Sequence, residues 1–276
     1  MMNWTADEIG RSGKEIDLIY PLAIPMTVLR NTAERRALIA TLADAPCGAI
    51  WLKVQNFGDD ATGEKVAAYI DACREFHGRG LPLVGDHIGG LPGLGALAFG
   101  AVGAIAHGVT MQQNFRAAGW RSPRVKGSGG PSWRIYIPQL DLLLKPSTAR
   151  ELLSASPKIR AMCGCRDTHC CPHGTDMLNH PARHAIYQRS RETERLGAVP
   201  QSMRAVQYLN QNVRRVSDYI TGVAAFPFSD VDLAKSLQDK QREMSRFRQM
   251  IAHLVESAEP TSVAVAPQRR RARKSG

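Results

Sequence analysis

The sequence predicts an α/β chain in which a parallel sheet covered by helices gives way to an all-helical second half. Three observations carry this. Between residues 17 and 138, short and mainly apolar strand-like runs alternate with stretches of helical periodicity, the pattern of repeated strand–helix units. The strand-like runs are apolar along most of their length, as in parallel strands buried by helices on both faces. After Leu140 the strand-like runs stop, and helical periodicity is interrupted only by a dense cysteine cluster.

The elements follow in order. Asp17–Ile24 reads as a strand despite Pro21, and Asn31 is placed to cap a helix through Arg35, Leu38, Ile39 and Leu42. Ala49–Phe57 is an apolar strand, and Gly63–His77 is a helix with Val66, Ile70, Cys73 and Phe76 on one face. Leu81–Asp86 is a strand running into Ile88-Gly89-Gly90, followed by a short helix over Leu94–Phe99 and a strand over Gly103–Gly108. A helix is expected over Met111–Ala118, then a Gly/Ser/Pro-rich loop (Ser122–Ser132) and a last, fifth strand over Trp133–Pro138. Beyond it, Ser147–Ser154, Arg183–Leu196, Gln201–Ile220 and Asp230–Val255 read as helices, the third with Met203, Val206, Leu209, Val213, Val216 and Ile220 in register. Glu256–Gly276 is expected to be disordered and ends in the basic run Arg269–Lys274.

Cys163, Cys165, Cys170 and Cys171 lie close together, with His173, His180 and His184 behind them. Thiolates and imidazoles at this density suit a tetrahedral zinc site. A disulfide is the alternative, but no secretory signal is legible, so the chain is expected in the cytoplasm with reduced thiols. No apolar run reaches membrane-spanning length, so no membrane partner is expected. The net charge is +11, and arginines recur after the cysteines at Arg183, Arg189, Arg191, Arg195, Arg204, Arg214 and Arg215. A basic surface around a zinc module points to a polyanion, nucleic acid before others.

In parallel α/β folds the functional groups gather at the carboxyl ends of strands. Gln55, Asp86 and His107 each end a predicted strand, and Gly89-Gly90 lets a planar ligand approach the backbone. Asp86 is a candidate base or nucleophile, and Asp141, in apolar surroundings, is its rival. The plain alternatives are a helix cap for either Asp, a turn for Gly-Gly, and a singly hydrogen-bonded core His for His107.

Taken together, Val54-Gln55-Asn56-Phe57-Gly58, Ile88-Gly89-Gly90-Leu91, the C-x-C of Cys163-Gly164-Cys165 with Cys170 or Cys171, and Arg204–Leu209 resemble segments of the carboxyl-terminal half of tRNA-guanine transglycosylases. They are especially similar to the divergent members that insert deazaguanine bases into DNA. The resemblance spans about Ala49 to Ile220. It implies a partial TIM-barrel-like parallel sheet (residues 1–145), a helical zinc-binding subdomain (146–255) and a disordered basic tail (256–276).

It also implies base exchange on DNA or tRNA through a glycosyl–aspartate intermediate, with Asp86 or Asp141 as the nucleophile. Gln55, Gly89, Gly90 and His107 would line the base pocket for a deazaguanine. A structural zinc would be held by Cys163, Cys165, Cys170 or Cys171, and His184, with Cys171 or His173 as rivals for the last place. The third cysteine comes later than in the family, and only about five strands precede the zinc module against eight in a full barrel. The expectation is therefore one of three: a fragment, a chain whose barrel is completed by a second chain or a second copy, or a reduced fold. A catalytically inactive nucleic-acid-binding subunit is the alternative function.

Overall fold

The computed structural model describes residues 7–8, 10–11, 18–43, 45–111, 113–117 and 133–257. Four strands, β1 (Ile19–Pro25), β2 (Ala49–Gln55), β3 (Leu83–Asp86) and β4 (Ala104–Ala106), form a parallel sheet in chain order. The register aligns their carboxyl ends: Pro25 lies beside Gln55, Lys53 beside Asp86, and Asp86 beside Ala106. Between them run α1 (Met26–Arg30), α2 (Thr32–Ala43), α3 (Gly63–His77) and, before β4, α4 (Gly90–Ala98). Local chemistry sets their starts. The Asn31 carboxamide accepts from the Ala33 and Glu34 amides, and the Thr62 hydroxyl accepts from Lys65.

Two expectations about the sheet are corrected. Burial on both faces does not hold for β2: Ile50, Leu52 and Val54 are buried in the core, whereas Trp51, Lys53 and Gln55 alternate with them half-buried. The core therefore lies against one face of the sheet. The parallel strands number four among the described residues, not five. Trp133–Pro138 shortens to β5 (Ile135–Ile137), which pairs antiparallel with β6 (Leu142–Leu144), a strand that sequence reading did not expect. The tight turn Pro138–Asp141, with Asp141 at φ +46°, folds the apolar Leu142–Leu144 back onto its neighbour. Met111–Ala118 is not helical at its described positions, because Phe115 and Asn114 bridge to Gln55 and Gly58 instead. The expected loop (122–132) and most of the expected tail lie outside the described residues, and closure into a barrel is not seen among those described.

The second half consists of α5 (Pro146–Ser154), α6 (Pro157–Cys163), α7 (Pro181–Gly197), α8 (Gln201–Tyr208), α9 (Arg215–Ala224) and α10 (Val231–Ser257). Prolines open α5, α6 and α7, where the missing N–H costs nothing. Helix α6 was not read from the sequence, although Ser156-Pro157 signals it: the Ser156 hydroxyl accepts from Ile159 N at 3.1 Å. Asp230 caps α10. Helices α8 and α9 are joined without a break by a π-helical turn, Leu209–Arg214.

One hydrophobic core runs from Leu22 in β1 to Ile251 in α10, so the two halves share it. The closest approaches rely on small residues. A Cβ at Gly63 would meet Met250 of α10 at 2.6 Å, and one at Gly95 would meet the Tyr208 hydroxyl at 3.0 Å. That hydroxyl, fully buried, donates to Leu91 O at 2.7 Å and ties α8 to α4. Tyr208→Phe is expected to lower stability by about 1–2 kcal/mol, read as a shifted urea midpoint, because it leaves a buried acceptor with one partner fewer.

Candidate metal centre and adjoining carboxylate cleft

Helix α6 stops at Cys163, and Gly164 turns the chain into an extended knuckle. Cys165 N donates to Gly174 O, and the amides of Cys170 and Cys171 fold over Asp167 O. The Asp167 carboxylate accepts from the amides of His169 and Cys170. Gly174, at φ +73°, closes the loop with a conformation that few other residues adopt. Helix α7 then returns His184 from its first turn.

These constraints gather Cys165, Cys170, Cys171 and His184, all buried, so that their donor atoms lie within 4.8 Å of one another. The His184 Nδ1 is 3.3 Å from Cys170 Sγ and 3.4 Å from Cys171 Sγ, and the two sulfurs are 3.8 Å apart. A tetrahedral ion with metal–sulfur bonds near 2.3 Å and metal–nitrogen bonds near 2.0–2.1 Å holds its sulfurs about 3.8 Å apart and sulfur from nitrogen about 3.6 Å. The group can therefore hold a metal ion.

Cys163 is corrected: it is not in the group. It closes α6, fully buried, while Cys165 lies beyond the turn at Gly164 and is the one thiol of the C-x-C that joins Cys170, Cys171 and His184. Both members of the Cys170-Cys171 pair take part in its place. His173 is exposed and outside the group. All six cysteines are free thiols, so the disulfide alternative is not realised.

The electrostatics suit a cation. Burial lowers the His184 pKa to about 4, leaving a neutral ring. Its Nε2 faces Tyr136 O at 3.0 Å, which fixes the proton there and leaves the Nδ1 lone pair for the metal. Burial pushes the Cys165 and Cys171 thiols up, so a positive ion is what would hold them as thiolates. Gln188 Nε2 donates to Cys165 Sγ at 3.4 Å.

Tyr136 links this centre to a second one. Its carbonyl holds His184, and its hydroxyl donates to Glu192 at 2.7 Å and reaches Asp141 at 3.4 Å. Arg189 lies 4.0 Å over the Tyr136 ring, pairing with Asp141 at 3.0 Å and Glu192 at 2.9 Å. The second Asp141 oxygen accepts from Leu91 N at 2.8 Å, in the first turn of α4. Burial raises the Asp141 pKa, but Arg189, Lys240 and the Leu91 amide outweigh it, and the carboxyl lies below its usual range. Glu192 is raised by burial despite Arg189. Arg189, expected on a basic surface, is thus corrected to an interior ion-pair residue.

Gly90, at φ +64°, sits against this centre: a Cβ there would lie 2.9 Å from Asp141 Oδ2 and 3.5 Å from Asp59 Cβ. Asp59 was missed by sequence reading. Its position just past a strand end was the available signal. Its pKa is raised by burial, then by Asp60 and Asp141.

The other candidates sit as follows. Gln55 ends β2, half-buried, and bridges to Phe115. Asp86 ends β3 and pairs with Lys53 at 3.2 Å across the sheet. Burial would raise its pKa, but hydrogen bonds from Trp51 and Lys53 and the nearby charges bring it below the usual range. Gly89 caps α4 and packs so tightly on Gln113 that a side chain would collide with it. His107 follows β4, with its pKa lowered by burial and Nδ1 2.9 Å from Gly108 O. The structure brings Gly90 and Asp141 together. It turns Asp86 toward Lys53.

A cleft of about 840 Å³ opens over the Asp141–Arg189–Glu192 group, and the metal loop from Cys165 to His169 forms one wall. No helix among the described residues is long and apolar enough to cross a membrane. No protein-family model matches the chain, and no curated protein is significantly similar to it.

Proposed function

We propose that the chain is a nucleic-acid-modifying protein of transglycosylase type, stabilised by a structural zinc, in which Asp141 rather than Asp86 is the nucleophile. The observation that carries this is the pair Asp59 and Asp141 flanking Gly90, with environments that push their protonation in opposite directions. Zinc is the ion preferred by three thiolates and an imidazole, and four protein donors leave no open position, so its role is structural. The net charge of +11 supports a polyanionic partner, DNA or tRNA.

In this reading the target base leaves the stack to reach the site. An Asp141 oxygen attacks the sugar C1′. The N-glycosidic bond breaks with its electron pair going to the base, which takes a proton from Asp59. A deazaguanine then attacks C1′ through a ring nitrogen, returns its proton to Asp59, and frees Asp141.

The test is incorporation of radiolabelled guanine and of a labelled deazaguanine into duplex DNA and, separately, into unmodified tRNA. Asp141→Asn is expected to lose incorporation, and Asp59→Asn to slow it about 10²–10⁴-fold, both with zinc content retained. Asp59 must be protonated to act, so the wild-type rate is expected to fall as pH rises through its raised pKa. Incorporation lost in Asp86→Ala but kept in Asp141→Asn would return the role to Asp86. One observation favours the second reading, an inactive binding subunit: both Asp141 oxygens are already engaged, by Leu91 N and by Arg189. A wild-type chain that binds nucleic acid and incorporates neither base would establish it.

A further inference from the structure

The cleft beside the metal centre has features that the carboxylate chemistry does not use. Two residues of its lining each carry a buried polar atom without a hydrogen-bond partner: Gln139 Oε1, an acceptor, and Arg189 Nε, a donor. Gln139 is 8% exposed, and its amide nitrogen is committed to Gly164 O at 2.9 Å. A buried polar group left unpaired costs about 1–3 kcal/mol, so an unpaired acceptor and an unpaired donor on residues that line one cavity mark a place that a ligand completes once these side chains turn toward it. A ligand offering both a donor and an acceptor satisfies the two together, and the edge of a nucleobase does so.

The wall opposite the metal loop points the same way. The π turn Leu209–Arg214 inserts one residue into an otherwise continuous helix, and its Gln211 and Asn212 line the cleft. Such an insertion re-aims the side chains that follow, and it recurs at functional sites. Leu91 and Leu94 of α4 and Val216 of α9 give the cavity an apolar strip against which a planar ring can lie.

At the rim stand Arg166 from the metal loop, Arg195 from α7 and Arg215 from α9, all exposed. None of the three pairs with a carboxylate among the described residues, unlike Arg189 inside. Arg166 and Arg215 lie 5.3 and 5.8 Å from the centroid of the Tyr219 ring, which brings two guanidinium groups to one ring. The acids that line the cleft are engaged elsewhere: Asp167 by the amides of His169 and Cys170, and Asp141 and Glu192 by Arg189. Arg166 also donates to Ala161 O at 3.1 Å, but guanidinium groups without a carboxylate partner along one cleft suit phosphate oxygens.

We infer that this cleft is a nucleotide-binding site, with the base inside against Gln139 and Arg189 and the phosphate on Arg166, Arg195 and Arg215. The volume is ample for one nucleotide. The inference deepens the nucleic-acid reading and rests on it for a strand, though not for a free nucleotide. Because the Cys165–His169 loop is one wall, the metal holds the site in shape.

The test uses the zinc-loaded full chain with three probes: 5′-GMP, 5′-AMP and a fluorescein-labelled, mixed-sequence single-stranded DNA of about ten nucleotides. Binding of a mononucleotide and of the oligonucleotide is expected. The exposed double variant Arg195→Ala/Arg215→Ala is expected to weaken both at least tenfold, with zinc content and circular dichroism unchanged. Gln139→Leu is expected to reduce the difference between GMP and AMP while leaving the salt slope for the oligonucleotide as it was, since phosphate contacts set that slope. If the double variant binds the oligonucleotide as tightly as wild type does, the cleft inference is overturned and the nucleic-acid reading survives on another surface. If wild type binds a mononucleotide but not the oligonucleotide, the cleft stands and the nucleic-acid reading falls. If wild type binds none of the probes, both fall.

Discussion

Stripping the proposed zinc from Cys165, Cys170, Cys171 and His184 is expected to unfold the segment from Gly164 to His184 and to loosen the helices packed on it. Structural zinc in small modules binds with apparent free energies of about 10–16 kcal/mol, and that energy is folding energy. The segment has little else to hold it: between α6 and α7 it contains one short 3-10 turn, Asp176–Leu178. The damage reaches the sheet ribbon because His184 also holds Tyr136 O. Cys165→Ser, Cys170→Ser and Cys171→Ser are each expected to lose the ion, whereas Cys163→Ser keeps it, since Cys163 lies outside the group. Metal content by mass spectrometry with a thermal melt decides the matter, and full occupancy in Cys165→Ser would sink the assignment. The buried thiols are raised, so metal binding must displace protons, and occupancy is expected to fall as pH falls.

Replacing Arg189 by methionine is expected to cost about 3–5 kcal/mol, because Asp141 and Glu192 would then lose the cation that contacts both. The pH dependence has a definite sign. In the wild type the Asp141 pKa is depressed, so its contribution is fully present above the unfolded carboxylate range and is lost as pH falls through the folded value. Without Arg189, burial is opposed at Asp141 by Lys240 and the Leu91 amide alone, and both carboxyls rise, Glu192 from a value that burial already raises. The folded variant then takes up protons more readily than the unfolded chain, so its deficit shrinks on acidification. Urea unfolding at pH 5 and pH 8 tests this: a deficit that does not change with pH would mean that the network is not electrostatic in origin.

Elements whose signals are local could be read before any coordinates. Asn31 was legible as a cap and caps its helix, and the helices expected from Gly63 and Asp230 start where Thr62 and Asp230 satisfy amides within three residues. The apolar run of β2 and the spaced face of α3 were legible because they repeat the period of their element. The cysteine cluster was legible as a metal site because ligand type and density are local properties.

The individual ligands were not legible. Whether Cys163 or the second cysteine of the Cys170-Cys171 pair joins the group depends on where α6 ends and how Gly164 turns, and both follow from packing. Trp133–Pro138 does contain a strand, Ile135–Ile137, but its place in the parallel sheet failed for a similar reason: an apolar run is equally suited to a parallel or an antiparallel partner, and the turn at Asp141 chose the second.

By itself, then, the sequence determined the α/β alternation, the helical second half, the positive charge and the presence of a thiol–imidazole site. Only the tertiary structure decided that Cys163 is excluded, that Arg189 is interior, that Asp59 and Asp141 flank Gly90, and that Asp86 answers to Lys53. The first follows from where packing stops α6, and the other three join residues far apart in the chain. Capping, periodicity and ligand density act over a few residues and leave their mark in the sequence. A pairing such as that of Asp141 with Arg189, 48 residues apart, is set by how the elements pack and leaves none.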